Sequence, residues 1–195
     1  MMLAEAAHAA QEGPLAGFHM TERDRYELKM AGLLHDCGKI TTPVHVVDKA
    51  TKLQTIYDRI SLVDTRFEVL KRDSEIIALK QKMAAFERGD VTAASQAELE
   101  HMARVKQYDD DREFLRRANI GSEKMREEDQ QRVSRIARYP WRNEKGESAR
   151  FLTEDEEANL NIAYGTLTAE ERRIINHHIV ATIKMLEALP WPRHL

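Results

Sequence analysis

Apolar residues recur every three or four positions along most of this chain, and the phase of that recurrence predicts a series of helices. Residues 2–11 read as a short helix that ends at Gly13-Pro14, a stop signal. Thr21, with Asp24 three residues on, is a weaker form of the capping box. It opens a helix whose Tyr26, Met30, Leu33 and Leu34 share one face. That helix delivers His35 and Asp36 at its C-terminal end, and Gly38 follows as its expected stop. The stretch "TTPVHVVDKATKL" is β-branched and broken by Pro43, and it predicts a loop.

From Ile56 the pattern changes. Ile56, Ile60, Val63, Phe67, Leu70, Ile77 and Ala84 alternate in steps of four and three, with Ser74 and Gln81 filling the seam. This is a heptad pattern sustained over about four repeats. After a break at "ERGDVTAAS", a second charged helical region runs from about Gln96 to Arg138 and is interrupted near "ANIGSE". Its seam residues, Leu99, Met102, Phe114, Met125, Val133 and Ile136, are only loosely periodic. The two regions predict an antiparallel helical hairpin, with the turn-rich "YPWRNEKGES" marking its return. A last helix begins at Thr168, with Glu171 completing a capping box. Ile174, Ile175, His178, Ile179, Thr182, Met185, Leu186 and Leu189 form its inner face, and Pro190 and Pro192 stop it.

Composition supports an all-α reading. Charged residues make up 32% of the 195, aromatics only 6%, and there are 8 Gly and 5 Pro. The net charge of −3 gives no basic field for duplex nucleic acid or anionic lipid. Cys37 is the only cysteine, which excludes an intrachain disulfide framework. No apolar run approaches the roughly 18 residues of a membrane span, and the Ala-rich start lacks the basic region of a signal peptide. A cytoplasmic protein is expected.

His35-Asp36 is the first candidate for chemistry. Imidazole nitrogen and carboxylate oxygen suit divalent metals such as Fe, Mn, Ni or Zn, and Lys39 stands close enough in sequence to meet a phosphate oxygen. A His-Asp dipeptide alone is a weak signal, and an exposed or mutually hydrogen-bonded pair is its commoner meaning. His178 lies on an apolar helix face, where a satisfied core histidine is the commoner role. His177 reads as surface. His8, His19, His45, His101 and His194 have no supporting context, and Cys37 reads as a small apolar filler. The run Asp109-Asp110-Asp111 reads as a solvated face.

Two separated motifs, in order, resemble the HD superfamily of metal-dependent phosphohydrolases, and within it the HD-GYP branch. "LLHDCGKI" is followed by Pro43 and by "VVDKATKL" (Val46–Leu53), and the pattern resumes at "GTLTAEERRIINHH" (Gly165–His178). The resemblance implies an all-helical HD-domain-like bundle in two parts, residues 1–55 and 161–195, with residues 56–160 as an inserted antiparallel helical hairpin. It implies His35, Asp36 and His178 as metal ligands, and Asp36 and Lys39 as catalytic residues. Lys49 would be a more distant substrate contact. The implied substrate is cyclic di-GMP or a related phosphodiester. The family's upstream ligand would lie before Met1, and its His-His-Glu and Gly-Tyr-Pro segments do not occur in these 195 residues. An incomplete domain is therefore expected. The alternative is a non-catalytic regulatory module whose hairpin associates with a partner helix or with a second copy.

Overall fold

A computed structural model describes residues 1–143 and 145–191. Among the described residues the chain is predominantly helical, with one two-stranded sheet. Among the described residues no helix is long and apolar enough to cross a membrane. Two compact units emerge: one comprises Met1–Val47 and the described residues from Glu170, the other Asp48–Ala169.

The first unit holds α1 (Met2–His8), α2 (Glu22–Leu34), a 3₁₀ turn (Cys37–Thr41), α3 (Val44–Val47), α8 (Ala169–Asn176) and α9 (His178–Glu187). The capping box at Thr21 forms as read. Thr21 Oγ1 accepts from the Asp24 amide, and the Thr21 amide donates 2.7 Å to the Asp24 carboxylate. The face of α2 is narrower than its periodicity suggests: Met30 and Leu34 are half-buried, while Tyr26 and Leu33 are exposed. The final helix is divided at His177 into α8 and α9. Its inward residues are Ile175, His178, Ala181, Thr182 and Leu186. Ile174, Ile179, Met185 and Leu189 are exposed. Pro192 and His194 lie outside the described residues.

Gly38 is not a left-handed helix stop, since its φ is not positive. Its place is set by a close approach. A Cβ there would collide with the His178 carbonyl oxygen and the Thr182 amide, and would sit 2.6 Å from Thr182 Oγ1. The Gly38 amide instead donates 2.9 Å to Thr182 Oγ1. Glycine lets the 3₁₀ turn lie directly on α9.

The second unit contains the main hydrophobic core. α4 (Ile60–Glu87) and α5 (Val91–Ile120) form the antiparallel hairpin, turned by Gly89 at φ +69° and capped by Asp90, whose Oδ1 accepts 2.9 Å from the Ala93 amide. α5 ends at Gly121, also left-handed. α6 (Glu127–Ile136), β1 (Pro140–Arg142), β2 (Ser148–Arg150) and α7 (Glu154–Leu160) follow. The strands pair antiparallel, Trp141 opposite Ala149. The core gathers Leu53, Val63, Phe67, Leu115, Ile136 and Phe151 at the base of the hairpin, with the Phe67 and Phe151 rings 4.7 Å apart.

Val63, Phe67, Leu70 and Ser74 face α5 as expected. Beyond Ser74 the contact follows Ala78 and Ala85, while Ile77 and Gln81 are exposed and Ala84 is half-buried; Ile56, before the helix, is 96% exposed. Val63, Ser74 and Ala85 are eleven apart, as are Phe67 and Ala78, a spacing close to that of a straight helix rather than a heptad supercoil. On α5 the seam runs through Ala94 and Ala97, and Leu99 and Met102 are exposed. Met125, Val133 and Ile136 are buried as expected.

Candidate functional site

The end of α2, the 3₁₀ turn and the start of α9 bring three sequence-distant side chains together. His35 is the C-cap of α2, Asp36 precedes the 3₁₀ turn, and His178 opens α9. His35 Nε2 lies 3.2 Å from Asp36 Oδ2, and His178 Nε2 lies 3.4 Å from Asp36 Oδ1. Lys39 donates 2.6 Å to Asp36 Oδ2. The Lys39 ammonium, and then the two imidazoles, hold the Asp36 carboxyl below the usual carboxylate range.

The other nitrogen of each ring identifies the tautomer. His35 Nδ1 faces the Gly32 carbonyl oxygen at 2.9 Å, and His178 Nδ1 faces that of Ile175. A carbonyl can only accept, so each Nδ1 carries the proton. Each Nε2 is left turned toward the carboxylate. If Nε2 is also protonated, the contact is an ion pair. If it is not, a lone pair faces a carboxylate oxygen, and only a cation between them relieves the repulsion. The same backbone anchoring is common behind metal-ligating histidines.

The donor set of two imidazoles and one carboxylate suits a borderline divalent ion. Its arrangement does not close on one point, because the two rings address different oxygens of Asp36 and Lys39 already holds Oδ2. Among the described residues, no three or more His, Cys, Asp or Glu side chains stand already arranged as a metal-binding group.

Two shallow grooves belong to this unit. One, of about 420 Å³, is lined by Met30, Ala31, Leu34, His35, Leu186 and Trp191. The other, of about 400 Å³, is lined by Thr41, Glu170, Arg173, Ile174 and His177. His35 and Lys39 are exposed, and His178 is largely covered. Cys37 is half-buried beside them.

Lys49 belongs to the second unit. It is buried there and donates 3.1 Å to Asn159 Oδ1, while its own carbonyl accepts from Thr166. Lys52, to which the sequence pattern assigns no role, is fully buried. It donates to the Leu160 and Ile162 carbonyls at 3.0 and 2.8 Å and contacts Met125 Sδ at 2.9 Å. Asp111 is not on a solvated face. It is buried and accepts from Arg132 and from the Tyr139 hydroxyl. Neither role has a signal in one sequence beyond a charged residue at an inward helical or loop position. His8 is structural, accepting 2.9 Å from the Met20 amide, and His101 contacts Ser74 Oγ at 3.0 Å.

Comparison with protein-family models, with curated proteins and with solved structures gives no match to this chain.

Proposed function

We propose that this chain is an HD-type phosphohydrolase domain of the HD-GYP kind, acting on a phosphodiester such as cyclic di-GMP in the cytoplasm. His35, Asp36 and His178 would hold one divalent ion, of Fe, Mn, Ni or Zn character, once Lys39 releases Asp36 Oδ2 and the carboxylate turns to bring both Nε2 atoms to one point. The observation that carries this reading is the pair of Nδ1-to-carbonyl contacts, which turn both Nε2 atoms toward one carboxylate. When bound, such an ion supplies Lewis acidity and lowers the pKa of water. The chain's own residues do the rest. Asp36 and the two imidazoles provide the negative and lone-pair end of the site. Lys39, exposed and only three residues from Asp36, exchanges its carboxylate partner for a phosphate oxygen of the substrate. Gly38 sets the distance between the turn carrying Asp36 and the helix carrying His178.

A second reading is a non-catalytic module. It is favoured by the Lys39 ammonium on Asp36 Oδ2, which neutralises the cluster with no ion, and by the placement of the main core in the hairpin unit. One experiment separates the two. Purified protein is stripped with chelator, reloaded separately with Mn, Fe, Ni or Zn, and dialysed. Bound metal is then measured beside His35→Ala and His178→Ala. The enzyme reading expects near-stoichiometric metal in the wild type only, with hydrolysis of bis(4-nitrophenyl) phosphate or cyclic di-GMP. Equal trace metal in all three proteins would overturn it and leave the module.

A further inference from the structure

α4 carries a second apolar stripe that its hairpin partner does not use. Leu62, Val69, Ile76 and Met83 stand seven residues apart, and Leu79 and Phe86 fall between and beyond them at the complementary spacing. All six are exposed, from 38% at Val69 to 65% at Met83. Of the large apolar residues exposed on α4, only Ile77 lies off this stripe. At 100° per residue the stripe is centred about 180° around the helix from the Val63–Ser74 seam. The face toward α5 follows an eleven-residue spacing, whereas the solvent face keeps a seven-residue one. A strict heptad is the period of a left-handed coiled coil with another helix.

We propose that α4 pairs antiparallel with α4 of a second copy of this chain, through Val69, Ile76, Leu79, Met83 and Phe86. Charge selects the occupant and the direction. In the two-fold register that sets Ile76 opposite Leu79 of the second copy, Val69 meets Phe86. Met83 meets Arg72, whose aliphatic stem covers it. The same register brings Asp73 beside Lys80 of the other copy, and the symmetry repeats the pair. Both side chains are exposed, and neither forms a salt bridge among the described residues. Glu75 also comes beside Lys82 of the other copy, whose ammonium its own chain already pairs with Glu98. In the parallel arrangement Glu68 would face Asp73, a like-charge pair beside the opposite-charge pairs Glu75–Lys80 and Lys82–Glu87, whereas the antiparallel register sets no like charges together on the flanks. The stripe is thus self-complementary when antiparallel. This pairing does not depend on the HD reading.

Sedimentation equilibrium on the full chain, from low to several hundred micromolar, tests it. A monomer–dimer equilibrium is expected. Ile76→Glu with Met83→Glu should weaken association about tenfold or more with helicity by circular dichroism unchanged, since both positions are exposed. In a Cys37→Ser background, oxidation should cross-link a double variant, Ile76→Cys with Leu79→Cys, far faster than Ile76→Cys alone. A monomeric wild type, or a dimer insensitive to the glutamates, would overturn the pairing and leave the stripe to another partner. Ready cross-linking of the single cysteine variant would mean a parallel dimer and would overturn the register.

Discussion

Lys52 should give this protein a stability that rises with pH on the alkaline side of neutrality. It is fully buried, and its ammonium meets two carbonyl oxygens and a thioether and, among the described residues, no carboxylate. The carbonyls belong to Leu160, the last residue of α7, and to Ile162 just beyond it, so the negative end of that helix offsets part of the charge. Burial nonetheless pushes the group from its ordinary 10.5 down to about 8. Between these values the unfolded chain binds the proton and the folded chain releases it. Stability therefore rises with pH across this window, and the full penalty is present below about pH 8. Each tenfold difference in proton affinity is worth about 1.4 kcal/mol, so the total is roughly 3 kcal/mol, of which about 2.5 kcal/mol is recovered between pH 7 and pH 10. Further up, burial keeps the Tyr108 and Tyr139 phenols protonated, with Asp111 adding to the effect at Tyr139. The unfolded chain loses those protons first, so stability falls again above about pH 10.

The assay is urea unfolding at pH 7, 8, 9 and 10, followed by fluorescence in a Trp191→Phe background. That leaves Trp141, 6.0 Å from the Phe151 ring, to report on the core whose Met125 and Leu160 meet the Lys52 ammonium. Lys52→Met removes the charge and also leaves two carbonyls without this donor, so its absolute offset mixes two effects of opposite sign. The pH dependence does not. The wild type should gain about 2.5 kcal/mol relative to Lys52→Met between pH 7 and pH 10. Curves for the two proteins that stay parallel would refute the reasoning.

Three further outcomes follow from close contacts. Gly38→Ala drives a methyl group into α9, so the 3₁₀ turn must lift and His178 must leave Asp36. It should lower the thermal midpoint of the first unit and, under the proposed metal-binding function, abolish retention of the ion, read by amide hydrogen exchange and metal analysis. Lys39→Met removes the leading cause of the low Asp36 pKa. A carboxyl NMR titration should show Asp36 rising toward the ordinary range, whereas in the wild type the cluster is intact above the usual carboxylate pKa and is lost as pH falls through the depressed value. Glu156 is buried. Burial alone would raise its pKa, but the Arg66 fork at 2.6 and 3.1 Å and the Thr153 amide hold it below normal. Arg66→Met strands that carboxylate and should cost about 3–5 kcal/mol at neutral pH. Its defect should shrink as pH falls and Glu156 takes up a proton, the reverse of the wild-type trend.

The features legible in the sequence are those decided locally. Thr21 with Asp24 and the break at Ile120-Gly121 depend on a cap and a left-handed glycine, and such signals span only a few residues. The convergence of His35, Asp36 and His178 is legible only through two motifs more than a hundred residues apart, and the structure brings those residues together. Buried polar groups leave no such mark. Lys49, Lys52 and Asp111 look like other surface charges until the carbonyls and side chains that satisfy them are placed.

The phase of α4 is the most instructive difference. Its sequence carries two interleaved apolar stripes, and the seam read from periodicity through Val63, Phe67, Leu70 and Ile77 is only one of them. The intramolecular contact follows that seam as far as Ser74 and then leaves it. Past Ser74 it runs through Ala78, Ala85, Ala94 and Ala97, because small side chains let two helices approach closely and bury backbone as well as methyl groups. Ile77, Leu99 and Met102 would hold the helices apart, and they turn outward. A thin alanine seam buries little apolar surface per turn. The distal hairpin is tied instead by the cross-helix pair Lys82–Glu98, which contributes little while both side chains stay partly exposed. Packing against the solvent face of α4 would therefore stabilise the part of the hairpin that its own seam holds least, which couples the order of the arm to whatever occupies the heptad stripe.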